Sequence, residues 1–342
     1  MIGDRPNKFA YLHKPGALEI IAEPLPADLP GPDYVRLKLA YCGLCGSDLA
    51  FIQGRRGVVY PRSLGHEQIG KVIQKGGNVN EIEVGSWVAV DPNTRCGECQ
   101  YCLAGASHHC ERSEETRFHP RGLAKYQDLH HSYLHPLPIF NPIYIGALAE
   151  PLSCALHAIA RAQISPGDNV LILGAGSMGS MVAFALLNKF DSLAITMHDT
   201  IPQRVDRFIR HFPGRVNNYV VDDIQDEYTA IFEATGDPEA LHIATQSVAK
   251  IGKIVVISRY RNRENITLPT TLCQQEIDVR FSHLNGPGET IDEALALLKQ
   301  NGAQDYLELV EIHSLDQIHT AIQRMQSSSY CKTMIEIDGS ME

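Results

Sequence analysis

The chain has 342 residues, a formal net charge of −10, and 44% hydrophobic and 20% charged residues. At about 150 residues per domain this length predicts two folded domains, and the composition excludes disordered, collagen-like and coiled-coil chains. The negative charge disfavours nucleic-acid binding, which needs a basic surface. The sequence lacks an uninterrupted apolar run of the ~18 residues that span a membrane, and its start does not resemble a secretory leader. We therefore expect a cytoplasmic protein with neither nucleic-acid nor membrane partners.

Short apolar stretches, broken by Gly, Pro or Asn, predict a β-rich region up to about residue 150. The pattern then changes to alternating helices and strands, starting with a helix in PLSCALHAIARA and a strand, glycine turn and helix in VLILGAGSMGSMVAFALLNKF. This alternation predicts βαβ units and a parallel, doubly wound sheet, so the fold class is α/β. The C-terminal stretch LVEIHSLDQIHTAIQRMQSSSYCKTMIEI predicts strand, helix and strand, and periodicity leaves open which domain it joins.

Four of the nine cysteines lie within fifteen residues, spaced C-x2-C-x2-C-x7-C: Cys96, Cys99, Cys102 and Cys110. In a reducing compartment such spacing indicates metal binding rather than disulfides. Four thiolates suit tetrahedral Zn²⁺ and leave no open position, so the pattern predicts a structural zinc site. An iron–sulfur cluster and incidental thiols are the alternatives.

A second set of possible ligands is scattered along the first half of the chain. It comprises Cys45 in GLCGSD, His66 and Glu67 in LGHEQIG, and Glu150 in AEPLSCALHA. Taken singly, each is more often an ordinary residue of a folded protein. Together, one thiolate, one imidazole and one or two carboxylates match the ligands of an open, catalytic zinc site.

A G-x-G-x-x-G turn follows the first strand of the alternating region, at Gly174, Gly176 and Gly179. Such a turn lets a pyrophosphate approach the backbone at the start of the following helix. Asp199 ends the next strand and would accept hydrogen bonds from ribose hydroxyls, which favours NAD over NADP, although His198 and Arg204 soften its repulsion of a 2′-phosphate. The predicted cofactor-binding residues are Gly174, Gly176, Ser177, Met178, Gly179, Asp199 and Arg204.

The motifs GLCGSD, LGHE, C-x2-C-x2-C-x7-C, AEPLSCALHA and LGAGSMG occur in this order over residues 42 to 179. Together they resemble the zinc-dependent medium-chain dehydrogenase/reductase family, within the alcohol dehydrogenase superfamily, and its polyol (sorbitol-type) branch. The resemblance implies a GroES-like β-rich catalytic domain in residues 1–150 and 286–342. It implies a Rossmann NAD-binding domain, with a doubly wound parallel sheet, in residues 151–285.

The resemblance also implies roles for individual residues. Cys45, His66 and Glu150 would surround a catalytic zinc, with Glu67 as an outer residue or alternate ligand, and the four clustered cysteines would bind a second zinc. Ser47 matches the proton-relay hydroxyl of the family, and Asp48 matches a carboxylate that orients a ligand. Many members carry a relay histidine where this chain has Ala50.

The segment RGLAKY, Arg121 to Tyr126, departs from the family pattern, and Arg117 and His119 precede it. These basic residues either recognise a hydroxylated or anionic substrate or form a solvated face.

The activity that the resemblance implies is hydride transfer from a secondary alcohol of a polyol, sugar or cyclitol to NAD. Amino-alcohol or aminocyclitol, threonine-type and sugar-phosphate dehydrogenases are alternatives within the same class. A non-catalytic NAD-binding module is the alternative from another class. Members of the family are commonly homodimers or homotetramers, and we expect the same here.

Overall fold

A computed structural model describes residues 6–113, 121–219, 227–260, 265–287, 289–300 and 307–339. Arg117 and His119 lie outside the described residues. The chain divides into two compact units, one formed by Met1–Glu150, Pro287–Gln326 and Lys332–Glu342, the other by Pro151–Gly286 and Ser327–Cys331. Gly286 and the segment Ser327–Cys331 thus belong to the second unit, whereas the sequence prediction assigned residues 286–342 to the first domain.

The secondary structure follows the predicted order. The strands are β1 Pro6–Lys14, β2 Ala17–Pro24, β3 Tyr34–Leu44, β4 Arg62–Ser63, β5 Glu67–Lys75, β6 Trp87–Val90, β7 Tyr126–His130, β8 Leu134–Pro136, β9 Val170–Leu173, β10 Ile195–His198, β11 Val216–Asn218, β12 Tyr228–Glu233, β13 Val248–Val256, β14 Asp278–Phe281, β15 Val310–Ser314 and β16 Lys332–Glu336. The α-helices are α1 Gly46–Ile52, α2 Gln100–Leu103, α3 Ala149–Ala162, α4 Ser177–Lys189, α5 Pro202–His211, α6 Pro238–Ser247, α7 Thr271–Gln274, α8 Glu289–Gln300 and α9 Ile318–Arg324. Short 3₁₀ helices are Ser107–His109, His131–Tyr133, Ile143–Leu148 and Leu315–Gln317.

The first unit is built on a seven-stranded sheet in the order β15-β16-β3-β5-β6-β8, with β7 also paired to β3. The strand β3 is its centre, because it pairs antiparallel with β5, β7 and β16. Apolar side chains of β3, including Leu37 and Leu39, are fully buried with Val72 and Val88 of the neighbouring strands. A three-stranded sheet, in the order β2-β1-β4, completes the β-rich unit.

The second unit contains a six-stranded sheet in the order β11-β10-β9-β12-β13-β14. All of its strand pairs are parallel, and helices follow most of its strands along the chain. The order reverses at β9, where the chain runs to β10 on one side and returns to β12 on the other. This is the topology of a doubly wound dinucleotide-binding sheet, so the predicted α/β fold class is confirmed.

One helical stretch, Ile143–Ala162, is long and apolar enough to cross a membrane by length and composition alone. This stretch is not an uninterrupted apolar run, because Glu150, His157 and Arg161 lie within it. Its most apolar part is 72% buried within the protein, and the core helix of a soluble protein meets the same criteria. We therefore interpret it as a core element.

Candidate metal centres and nucleotide-binding loop

The four clustered cysteines of the sequence motif lie together in the structure. Their sulfur atoms are all within 4.8 Å of one another, and the Sγ atoms of Cys96 and Cys102 are 3.9 Å apart. Four sulfurs bound tetrahedrally at about 2.3 Å from zinc would be about 3.8 Å apart. The arrangement therefore fits a metal ion held by four thiolates.

The backbone around these cysteines favours thiolates at some positions. N–H groups of Glu98 and Cys99 lower the pKa of Cys96 to about 6, and Cys96 Sγ accepts the Cys99 N–H at 3.3 Å. Burial and the neighbouring sulfurs instead raise the pKa of Cys102 to about 12. Since four thiolates this close repel one another, a divalent cation is the group that would allow all four to ionise.

A second group of possible ligands comes from two chain segments that lie far apart in the sequence. Cys45 follows β3 directly and caps α1, while His66 and Glu67 stand at the start of β5. Because β3 and β5 pair antiparallel, with Gly43 opposite Glu67, the end of one strand meets the beginning of the other. Ligand atoms of Cys45, His66 and Glu67 lie within 4.8 Å of one another.

Asp48 fixes the two segments of this group relative to each other. Its carboxylate accepts the N–H of Cys45 at 3.0 Å and that of Gly65 at 3.2 Å, and it lies 3.7 Å from His66 Nδ1. Burial lowers the pKa of His66, but the charges of Asp48 and Cys45 outweigh burial, so the pKa lies well above its usual value. A carboxylate beside one ring nitrogen is the usual partner of a metal-binding histidine, whose other nitrogen then faces the metal.

Glu67 also contacts a lysine that the sequence analysis missed. Lys332, at the start of β16, forms an ion pair with Glu67 Oε2, and the two side chains are 0% and 1% exposed. Lys332 Nζ also donates a hydrogen bond to Leu44 O at 3.1 Å. The one signal in the sequence was a lysine at the start of the apolar strand KTMIE, where a buried charge needs a partner.

Glu150, the second residue of α3, is buried but does not belong to the 4.8 Å group of Cys45, His66 and Glu67. Its charge nevertheless acts on Lys332. Burial lowers the pKa of Lys332, whereas Glu67, Cys45 and Glu150 together raise it above its usual value. The group of Cys45, His66 and Glu67 therefore has up to three possible negative donors, counting Glu150, and one ammonium in its surroundings.

The glycine turn has the geometry that nucleotide binding requires. Gly174 follows β9 with a positive φ of 97°, which favours glycine. A Cβ at Gly179 would overlap the carbonyl oxygen of Gly174, so this glycine permits close packing of α4 on the turn. At Gly176, the N-cap of α4, a Cβ would meet only Arg204 Nη1 at 3.8 Å, which leaves the approach to the helix start open. Ser177 and Met178, the first residues of the helix, are half-buried there.

Asp199 lies directly after β10 and links the glycine turn to α5. Its carboxylate accepts the Ala175 N–H at 2.7 Å and the Ile201 N–H at 2.8 Å. Arg204 Nη1 is 3.5 Å from Asp199, and its Nε and Nη2 donate to the carbonyl of Ser328 at 3.1 and 3.0 Å. Both residues therefore border the turn, and Arg204 is already engaged by the protein.

The remaining predicted residues differ in their surroundings. Ser47 is half-buried in the first turn of α1, next to Asp48, and Ala50 lies on the next turn of the same helix. Arg121 lies over the ring of Phe9 at 5.0 Å and is 41% exposed. Lys125 is 3.4 Å from Asp338. These contacts favour a structural role for the basic residues of RGLAKY over recognition of a substrate.

Comparisons with known proteins match part of the first unit to a family model and most of the chain to relatives. Residues 31–139 match the model of the alcohol dehydrogenase GroES-like domain. The chain is 29% identical to a sorbitol dehydrogenase of Bacillus subtilis, covering 96% of each protein. It is 30% identical to a zinc-type alcohol dehydrogenase-like protein of Haemophilus influenzae, covering 86% of this chain and 87% of that protein.

The fold is similar to that of solved structures. L-idonate 5-dehydrogenase of Escherichia coli superimposes with a TM-score of 0.85 at 21% identity, over 97% of this chain and 99% of the other. This likeness supports the two-domain architecture and says nothing of the substrate.

Proposed function

Because the chain belongs to the zinc-dependent medium-chain dehydrogenase/reductase family, we propose that it oxidises a secondary alcohol of a polyol, sugar or cyclitol with NAD. The observation that carries this proposal is the group of thiol, imidazole and carboxylate formed by Cys45, His66 and Glu67. The 29% identity to a sorbitol dehydrogenase over nearly the whole chain supports a polyol-type substrate. A non-catalytic NAD-binding module would not need a metal site with three protein ligands and one position for substrate.

We propose that the chain carries two zinc ions with different tasks. Cys96, Cys99, Cys102 and Cys110 would bind one ion completely and stabilise their loop. Cys45, His66 and a carboxylate of Glu67 or Glu150 would bind the other with one position left for substrate. When bound there, zinc acts as a Lewis acid that makes the alcohol hydroxyl a stronger acid.

The side chains around this site orient a metal ligand and transfer the proton. Asp48 holds the His66 ring in orientation, and Ser47 receives the proton of the substrate hydroxyl and passes it to water, since Ala50 offers no proton acceptor. Bound NAD would supply the nicotinamide that accepts the hydrogen of the carbinol carbon together with its electron pair. The products are a carbonyl compound, NADH and one released proton.

The nucleotide site supports NAD rather than NADP. Backbone N–H groups fix the Asp199 carboxylate beside the glycine turn, where it would accept ribose hydroxyls and repel a 2′-phosphate. Arg204 would offset that repulsion, but its guanidinium is bonded to the Ser328 carbonyl. Gly174, Gly176 and Gly179, with Ser177 and Met178, would hold the pyrophosphate at the start of α4.

In this proposal the first unit is the catalytic domain and the second unit binds the cofactor. We further propose a cytoplasmic homodimer or homotetramer. In support of self-association, Phe281 on β14, the last strand of its sheet, is 56% exposed, and Ile251 is 77% exposed.

The proposal is tested by following NADH formation with a panel of polyols, cyclitols, amino alcohols and sugar phosphates, with NAD⁺ and NADP⁺ in parallel. We expect turnover of polyols, sugars or cyclitols with NAD⁺. Turnover confined to amino alcohols or sugar phosphates would contradict the substrate class. The absence of turnover with every substrate, in protein that contains two zinc ions, would contradict the proposed activity.

A further inference from the structure

Lys332 and Glu67 form a fully buried ion pair beside the group of possible metal ligands around Cys45. The side chains are 0% and 1% exposed, so both charges are removed from water. Burying a single ammonium or carboxylate costs several kcal/mol unless a partner compensates it. Each residue therefore depends on the other.

Three neighbouring strands build the pocket for this pair. Glu67 begins β5 opposite Gly43 of β3, and Lys332 begins β16, whose next residue pairs with Leu44 of β3. A Cβ at Gly43 would overlap Glu67 Oε2 and lie 2.7 Å from Lys332 Cε. The backbone of the central strand thus leaves room for both side chains to meet.

A buried lysine is unexpected next to a site for a divalent cation, because the two positive charges repel. With a metal bound, the surroundings would contain three negative groups: Cys45 as a thiolate and the carboxylates of Glu67 and Glu150. Zinc offsets two of these charges, and Lys332 offsets the third. Without Lys332, the Glu67 carboxylate would have the metal as its main positive partner.

We propose that Lys332 is a positioning residue that shares the Glu67 carboxylate with the catalytic metal and limits how strongly Glu67 binds it. The metal then stays electrophilic and keeps one position exchangeable for the alcohol. This inference rests on the proposed function, since it needs a metal on Cys45 and His66.

The test compares Lys332→Met with the parent protein, both with the four-cysteine site loaded. Zinc affinity of the second site is measured by competition with a chromophoric chelator, and the ligand field by the visible spectrum of the Co²⁺-substituted protein. Because changes next to metal ligands alter affinity about 10–100-fold, we expect zinc to bind about 10-fold more tightly. We expect kcat to fall about 10-fold and the Co²⁺ bands to shift.

A purely structural role for Lys332 predicts another pattern, in which affinity and activity fall together. Zinc affinity that is lower or unchanged in Lys332→Met overturns the proposal. Lys38→Met is the matched control, because Lys38 also lies on the first-unit sheet and pairs with Asp338 at 3.0 Å. Both its zinc affinity and its Co²⁺ spectrum should equal those of the parent.

A second comparison covers the case in which Lys332→Met does not fold. Lys332→Gln removes the same charge but keeps a polar side chain that can hydrogen-bond Glu67, so we again expect zinc to bind about 10-fold more tightly than in the parent. If Lys332→Gln folds and binds zinc no more tightly than the parent, the role of Lys332 is refuted. A parent protein that binds only one zinc ion refutes the proposed function instead.

Discussion

The two candidate metal centres of the first unit are built in opposite ways. Cys96, Cys99, Cys102 and Cys110 lie within one fifteen-residue segment, supply four identical donors and are supported by backbone N–H groups. Cys45, His66 and Glu67 supply three kinds of donor and meet only because β3 and β5 pair. The first group fits an ion that holds a loop together, and the second leaves a position for chemistry.

The surroundings of the two groups differ as much as the donors. Two buried charged residues contact the group of Cys45, His66 and Glu67. Asp48 lies beside His66, and Lys332 pairs with Glu67. The four-cysteine group instead lies in a surface loop whose glycines, Gly97 and Gly105, have positive φ. A closed site needs only a loop that folds around the ion, whereas a reactive site needs charges that are set by the surrounding strands.

The largest effect should come from removing one ligand of the four-cysteine site. We expect Cys102→Ala to lose one zinc ion and to lower the free energy of unfolding by at least about 4 kcal/mol, because metal loss is among the most destabilising changes. Thermal and denaturant unfolding measure this change. Cys273→Ala, at an exposed cysteine of α7, should stay within about 0.5 kcal/mol of the parent. Equal stability of the two variants would remove the structural role of the cluster.

A smaller effect is expected at Ser47, the proposed proton acceptor beside the Cys45 site. Ser47→Ala should lower kcat about 100-fold, at the low end for general acid–base groups, because water takes over part of the transfer. Steady-state NADH formation measures it, and both zinc ions should remain bound. If kcat is unchanged, Ser47 is only part of the helix α1 and another group accepts the proton.

The smallest effect should come from the residue that orients His66. Asp48→Asn should weaken zinc binding at the Cys45 site about 10-fold and leave the four-cysteine site unchanged, because Asp48 contacts Cys45, Gly65 and His66. Chelator competition resolves the two sites. The exposed Asp278→Asn on β14 serves as the control. A similar loss at both sites would indicate general destabilisation.

The fold was largely readable from the sequence, because its signals are local. The run VLIL, the glycines at 174, 176 and 179 and the apolar helix after them predicted the central strand and turn of the parallel sheet. The four-cysteine group was equally readable, since one loop contains it. Family resemblance, rather than periodicity, placed the C-terminal tail, yet the structure groups Ser327–Cys331 with the second unit.

The group of Cys45, His66 and Glu67 was harder to predict because the pairing of β3 with β5 brings it together. Sequence spacing gave the residue types, but not that Glu67 rather than Glu150 lies within 4.8 Å of Cys45 and His66. Lys332 was not predicted because its partner is 265 positions away, and the one local signal, a lysine at the start of an apolar strand, does not identify that partner. Arg204 was predicted from its charge, while its bonds to Ser328 depend on tertiary structure.

The proposed activity depends on a catalytic metal that is bound by the group around Cys45 and is separate from the structural one. Counting zinc per chain and following NADH formation in the parent and in Cys45→Ala tests it directly. We expect two zinc ions and turnover in the parent, and one zinc ion, retained folding and no turnover in the variant. Two zinc ions and undiminished turnover in Cys45→Ala would contradict it.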